Sequence, residues 1–122
     1  MNLITGESGL GFAVIHGIFR GDLNVTVLSG SEWSEAFTPA HSSLPIVYPS
    51  LHAASWDFAG TRFIVVVNYV NETITAKIAG FPVGILQAEI VGENATMAVD
   101  GKGVATVNLD RCGAHVYRCP LL

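Results

Sequence analysis

The sequence predicts an all-β protein, an antiparallel two-sheet β-sandwich of about seven to nine strands. Short runs of alternating or apolar residues recur from residue 23 onward, and turn signals rich in Gly, Asn and Asp separate them. No convincing helical pattern follows residue 20. With 122 residues the chain can enclose one apolar core, so residues 1–122 are predicted to form a single domain.

The N-terminal segment, residues 1–22, gives the weakest pattern. Within it, residues 12–19 fit either a strand or a short helix, because so short a stretch does not distinguish the two periodicities. Gly21-Asp22 is a turn signal that is expected to end this segment.

Residues 23–28 alternate, with Leu23, Val25 and Val27 on one face of a predicted strand. Residues 29–49 follow as a long loop rich in Pro and Ser. Proline removes backbone donors and restricts the residue before it, so this stretch does not fit a sheet interior. Long loops of this kind in compact domains are commonly functional.

The regular part of the sandwich is predicted from residue 50 onward. Its strands are expected at residues 50–58, 62–70, 72–78, 86–91, 96–99, 104–109 and 114–119. Turn signals lie between them, and Asp100-Gly101 is the strongest hairpin signal among these.

The strongest strand pair lies in residues 61–80. The run 63–67 is apolar at every position, which predicts a central strand covered on both faces. Its odd-numbered side chains should face one layer and its even-numbered side chains the other. Asn68 and Asn71 are then expected at the strand end and the corner, and not as ligands.

Composition excludes several classes of function. The net charge is −4 and the six Lys and Arg are scattered singly, so no nucleic-acid partner is expected. The longest apolar run is far shorter than the roughly 20 residues of a membrane span, and no signal peptide is recognisable. Charged residues make up only 13% of the chain and mean hydropathy is +0.47, which indicates that part of the surface is covered by a partner domain, a second copy or a large ligand. The alternative is a monomer with an unusually apolar surface.

The two cysteines are predicted to be free, buried thiols. If the residues between them form a strand, Cys112 and Cys119 lie roughly 20 Å apart, beyond the roughly 7 Å that a disulfide can span. Their spacing is also not that of a zinc site, so neither a metal nor a cofactor is expected.

Residues 50–119 resemble the small C-terminal β-sandwich domain that follows the (β/α)8 barrel in many glycoside hydrolases. The matching features, in order, are a strand with an aromatic residue (51–56), a strand ending in Asn (63–68), its neighbour (71–76), a corner (91–93), the Asp100-Gly101 hairpin and a closing strand (113–118). Residues 23–30 are similar to the segment that links the barrel to this domain. Nothing in the chain resembles the barrel or its paired catalytic carboxylates.

The resemblance implies a non-catalytic accessory domain, packed on a catalytic barrel domain or on a second copy in a homo-oligomer. The alternative is a carbohydrate-binding module whose partner is a polysaccharide, because sugar rings stack on exposed aromatic faces. Trp33, Tyr48 and Trp56 are the candidate binding residues, from an aromatic pool that includes Tyr69. The competing interpretation for Trp56 and Tyr69 is core or inter-domain packing.

No catalytic residue is assigned. A glycosidase needs two carboxylates held roughly 5 to 10 Å apart, and no pair here is forced together. A third hypothesis, a stand-alone hydrolase, is disfavoured; its candidate catalytic residues are Glu32 and Glu35, both in the long loop. The four histidines are spread over the chain, and no nucleophile elbow is present.

Overall fold

A computed structural model describes residues 17–34, 38–41 and 43–121, which contain nine antiparallel strands in two sheets and no helix. The predicted two-sheet antiparallel sandwich is therefore confirmed. The strands are β1 (Ile18–Asp22), β2 (Val25–Ser29), β3 (Leu51–Phe58), β4 (Thr61–Asn68), β5 (Ile74–Ala79), β6 (Gln87–Ile90), β7 (Ala95–Ala98), β8 (Val104–Leu109) and β9 (Ala114–Pro120).

One sheet has six strands in the order β1-β3-β4-β9-β6-β7, and the other has three in the order β2-β5-β8. The β3–β4 hairpin has a continuous register from Leu51↔Asn68 to Phe58↔Thr61. The two residues between these strands, Ala59 and Gly60, both have positive φ (53° and 76°). Those values are typical of a type I′ turn, whose twist matches the twist of the paired strands.

The main core lies between the two sheets. Ile64 and Val66 of β4 are fully buried and face Ile74, Ala76 and Ile78 of β5 across the sandwich. The period of two along each strand produces this layer, since alternate side chains point to the same face. The even-numbered side chains of residues 63–67 thus enter the core as predicted.

The odd-numbered positions lie on the opposite side of the six-stranded sheet, which we call the outer face. Phe63 there forms a second cluster with Val91 and Val116, and Trp56 and Val65 pack against it. Phe63 is only 4% exposed, whereas Trp56 and Val65 are partly exposed. No described strand lies over this face. β4 was predicted to be covered on both faces, but a second sheet covers it only on the core side.

The N-terminal turn prediction is wrong in detail. Gly21 and Asp22 lie inside β1, which pairs with β3, and the register shifts between Phe19 and Gly21. Gly21 has a φ of 97°, a conformation that glycine adopts without strain, and it therefore allows a bulge instead of a turn. The chain turns one step later, between β1 and β2. Of the ambiguous residues 12–19, those before residue 17 lie outside the described part of the chain.

The predicted strand at 23–28 corresponds to β2. Leu23, Val25 and Val27 all pack against the main core, as their alternation predicts. β2 pairs with β5 along one edge of the smaller sheet.

The cysteines are both free, as expected. Cys119 is buried in β9, and burial raises the pKa of its thiol to about 11. The prediction of burial is wrong for Cys112, which is exposed in the connection between β8 and β9 with a positive φ of 51°. It belongs to a turn, so its side chain has no strand face to join.

Candidate functional site

Three exposed aromatic side chains converge at one end of the sandwich. Trp33 (58% exposed), Tyr48 (43%) and Tyr69 (51%) line one cavity of about 510 Å³, together with polar residues. The rings of Tyr48 and Tyr69 are in contact, with centroids 6.4 Å apart and planes inclined at 59°. We call this space the aromatic cavity; its polar lining residues include Ser31, Ser34, Asn71 and Glu72.

The long loop presents Trp33 and Tyr48 because its two ends pair with each other. Trp33 and Pro49 form an isolated antiparallel bridge. Ser34 N–H donates to the carbonyl of Tyr48 at 2.7 Å, and Tyr48 N–H donates back to Ser34 Oγ at 2.9 Å. These bonds hold the two aromatic side chains at the mouth of the loop.

The corner after β4, residues 68–73, presents the other half of the cavity. Asn68 is 2% exposed, and its amide Nδ2 donates to the carbonyls of Glu72 (2.8 Å) and Asp110 (3.0 Å). Its Oδ1 accepts the N–H of Val70 at 3.0 Å. The expected corner role of Asn68 is confirmed, and this network fixes the direction in which Tyr69 leaves the sheet.

Glu72 joins the loop to the corner. Its Oε1 accepts the backbone N–H of Ser31, two residues before Trp33. This hydrogen bond from Ser31 holds the pKa of the Glu72 carboxyl below its usual range, because it stabilises the ionised form. The tie therefore links the position of Trp33 to that of Tyr69.

Two further cavities adjoin the aromatic cavity through shared residues. One, of about 560 Å³, is lined by Tyr48, Pro49, His52 and Tyr69. The other, of about 450 Å³, lies between β2 and β3; it shares Trp33 with the aromatic cavity, and Pro49 and His52 with the cavity of about 560 Å³. The three cavities are neighbours that share lining residues, and we call them together the groove. In the cavity between β2 and β3, the side chains of His52 and Asp22 are in contact, with His52 Nε2 2.7 Å from Asp22 Oδ1.

The structure brings together two of the three aromatic residues predicted as a binding platform, Trp33 and Tyr48. The third, Trp56, lies elsewhere, on the outer face, where its ring packs on Phe19 with centroids 5.1 Å apart. Tyr69 takes its place in the cavity. The sequence indicates that Tyr69 lies at a corner, because it follows the strand-ending Asn68, but it does not indicate that this corner meets the long loop.

The carboxylates considered for catalysis do not form a described pair. Glu32 lines the cavity between β2 and β3, and Glu35 lies outside the described residues. Among the described residues, no three His, Cys, Asp or Glu side chains are grouped as metal ligands. Asp22, the other carboxylate in that cavity, is paired with His52.

Two other charged clusters have structural explanations. Asp57, 7% exposed, accepts hydrogen bonds from Arg62 (2.7 and 2.8 Å) and from Arg20 (2.8 Å). The Arg62 bond, opposed by burial and aided by Arg20, lowers the pKa of Asp57. This cluster ties β1, β3 and β4 together at one end of the sheet.

The second cluster is an array of Glu93, His115 and Tyr117. His115 Nε2 lies 3.1 Å from Glu93 Oε2, and His115 Nδ1 lies 2.9 Å from the Tyr117 hydroxyl. Although the order resembles an acid–base–nucleophile array, Tyr117 is 1% exposed and burial raises its pKa. A substrate does not reach that hydroxyl, so the array fixes β9 and is not a site.

Comparison with known proteins adds no assignment: no protein-family model matches the chain, and no curated protein matches it. Within the described part of the chain there is also no helix long and apolar enough to cross a membrane.

Proposed function

We propose that this chain is a non-catalytic, carbohydrate-binding accessory β-sandwich. The observation that carries the proposal is the convergence of Trp33, Tyr48 and Tyr69 on one cavity at the end of the fold. Aromatic rings offer flat apolar faces to the C–H surfaces of sugars, while hydroxyl and amide groups at their edges bond sugar hydroxyls. Ser31, Ser34 and Asn71 supply such groups here.

The size and the shape of the groove support binding of a chain more than binding of a single small molecule. Each cavity has a volume within the roughly 300 to 1,000 Å³ of ligand sites. The three cavities are neighbours, so an extended ligand that occupies one of them comes close to the next; the residues that they share are Trp33, Tyr48, Pro49, His52 and Tyr69.

The proposal is tested by affinity electrophoresis and pull-down on a panel of soluble and insoluble polysaccharides. We expect retention of the wild type by at least one polysaccharide, and a loss of about tenfold in affinity for Trp33→Ala, equivalent to about 1.4 kcal/mol. Tyr69→Ala should weaken binding similarly. Trp56→Phe is the matched control, since Trp56 lies on the outer face, and it should bind as the wild type does.

Two outcomes would overturn the carbohydrate-binding role. One is the absence of retention by every polysaccharide in the panel. The other is retention that Trp33→Ala and Trp56→Phe affect equally, because the aromatic cavity would then not be the contact surface.

The outer face favours a second candidate role, that of a structural accessory domain similar to the C-terminal domain of glycoside hydrolases. Phe19 is 56% exposed beside the partly exposed Trp56 and Val65, and no described strand covers them. Polar side chains at the borders of this face contact each other: Arg118 forms a salt bridge with Glu89, and His52 Nε2 lies within hydrogen-bond distance of Asp22 Oδ1. Two copies could therefore meet across it without strong repulsion between like charges.

Sedimentation velocity over a range of concentrations tests packing on a second copy. We expect a dimer that Phe19→Asp dissociates. Leu86→Asp is the control, because Leu86 is also exposed (68%) but lies outside the cluster on the outer face. A monomer at every concentration would exclude packing of the outer face on a second copy of the chain.

A further inference from the structure

The charge lining the aromatic cavity is of one sign. Glu72 is its only charged residue in the part of the chain that the structure describes, and no Lys, Arg or His lines it. The two adjoining cavities add Asp22 and Glu32, and their only potentially cationic residue is His52. Three aromatic rings and a carboxylate around one space are a chemical environment suited to a cation.

We propose that the aromatic cavity binds the ammonium group of an amino sugar within a glucosamine-type polysaccharide chain. Trp33, Tyr48 and Tyr69 contact the sugar and its cation through their ring faces, and Glu72 supplies the opposite charge. The inference rests on the proposed carbohydrate-binding function and names the ligand class of the same cavity.

The state of Glu72 agrees with this role. Its Oε1 already accepts the Ser31 N–H, but a carboxylate has about four lone-pair positions, so it can accept further donors. The same hydrogen bond favours its ionised form, so the negative charge is present at neutral and mildly acidic pH. An ammonium donor on a ligand is therefore met by a charged acceptor in a fixed position.

The same charges exclude the opposite ligand class. Uronate and sulfated polysaccharides would bring anions against Glu72 with no Lys or Arg lining the described groove to receive them. The net charge of −4 adds to this repulsion at long range. The negative charge thus favours a cationic chain, and the aromatic rings favour a chain built from sugar rings.

Isothermal titration calorimetry with glucosamine oligomers, at mildly acidic pH, tests the proposal. The matched probe is the N-acetylated oligomer of equal length, which keeps the sugar ring but lacks the cation. We expect the amine form to bind at least tenfold more tightly, and high salt to weaken the amine form selectively. Choline, a cation without a sugar ring, should bind far more weakly than the glucosamine oligomer.

The variant Glu72→Gln keeps an acceptor oxygen for Ser31 and removes the charge. We expect it to lose at least tenfold in affinity for the glucosamine oligomer, and to lose little for the acetylated one. Glu93→Gln removes one charge from an exposed carboxylate that lines none of the three cavities of the groove, so it should bind as the wild type does.

Equal affinity for the amine and acetylated oligomers, or unchanged binding by Glu72→Gln, would overturn the inference. Choline bound as tightly as the oligomer would also overturn it, since the cation alone would then explain binding. If neutral glycans bind in a Trp33-dependent manner while glucosamine shows no advantage, only the ligand class is wrong. If no glycan binds at all, the proposed function fails as well.

Discussion

Replacing Asn68 with alanine should destabilise the whole sandwich, although the residue lies at the end of a strand. Its side chain makes three hydrogen bonds of 2.8 to 3.0 Å, to the carbonyls of Glu72 and Asp110 and from the N–H of Val70. At about 1 kcal/mol for each bond, Asn68→Ala should lower the free energy of unfolding by about 3 kcal/mol. That is a large part of the roughly 5 to 15 kcal/mol that stabilises a typical domain.

Urea unfolding followed by tryptophan fluorescence measures this loss. With a slope near 2 kcal/mol/M, the midpoint should fall by about 1.5 M at an unchanged slope. Asn108→Ala is the control: Asn108 is exposed in β8 and accepts one long bond, 3.3 Å from Thr75 Oγ1. It should cost less than about 0.5 kcal/mol.

A loss of under about 1 kcal/mol for Asn68→Ala, or an equal loss of stability in both asparagine variants, would contradict a structural role for the Asn68 hydrogen bonds. Either result would mean that water or a shifted backbone replaces the lost bonds without cost. In that case Asn68 could not be what fixes Tyr69 and Glu72 at the aromatic cavity.

Three further predictions follow from local structure. Asp57→Asn should flatten the acid limb of the curve of unfolding free energy against pH. The Arg62 bond lowers the pKa of Asp57, so the stabilisation by the Asp57 carboxylate is present above about pH 4 and is lost as pH falls through the lower folded-state pKa. An acid limb identical to that of the wild type would contradict this. Ala59→Asn should raise the free energy of unfolding by about 0.5 to 1 kcal/mol, because Ala59 has a φ of 53° that asparagine tolerates better; a loss in urea midpoint would contradict it. Native protein should show one fast-reacting thiol toward a disulfide reagent, the exposed Cys112, while buried Cys119, with its pKa raised to about 11, reacts only on unfolding; two fast thiols would contradict the burial of Cys119.

Most strands could be predicted from the sequence because the pattern that indicates a strand is local. Alternation and turn residues follow from the period of two along a strand, so β3, β4, β5, β8 and β9 were expected close to their observed bounds. The same reasoning failed where glycine allows two outcomes. Gly21 fits a turn or a bulge equally well from its neighbours, and only pairing with β3 decides between them.

The candidate site could be predicted only in part. Trp33 and Tyr48 were expected as exposed aromatics because they lie in a proline-rich loop, where a core position is improbable. For Trp56 the sequence left sugar binding and packing both open, since an aromatic residue in a strand faces either the core or the solvent side. That Tyr69 joins them depends on the contact between residues 31–34 and the corner, a long-range contact that no local pattern encodes.

The way in which this contact is made bears on how the groove can bind. Tyr69 and Glu72 are set by the buried Asn68, and Tyr69 N–H is also bonded to the carbonyl of Ser50 at 2.8 Å. Trp33 is held by its bridge to Pro49 and by the tie from Ser31 to Glu72. Each half of the aromatic cavity is therefore fixed by hydrogen bonds to backbone groups that exist before a ligand arrives. A site ordered in advance loses less conformational entropy on binding, so weak stacking contacts can still give measurable affinity.

Glu72 has two roles in this arrangement, as tie and as charge, and Glu72→Gln separates them because glutamine retains the acceptor oxygen and loses only the charge.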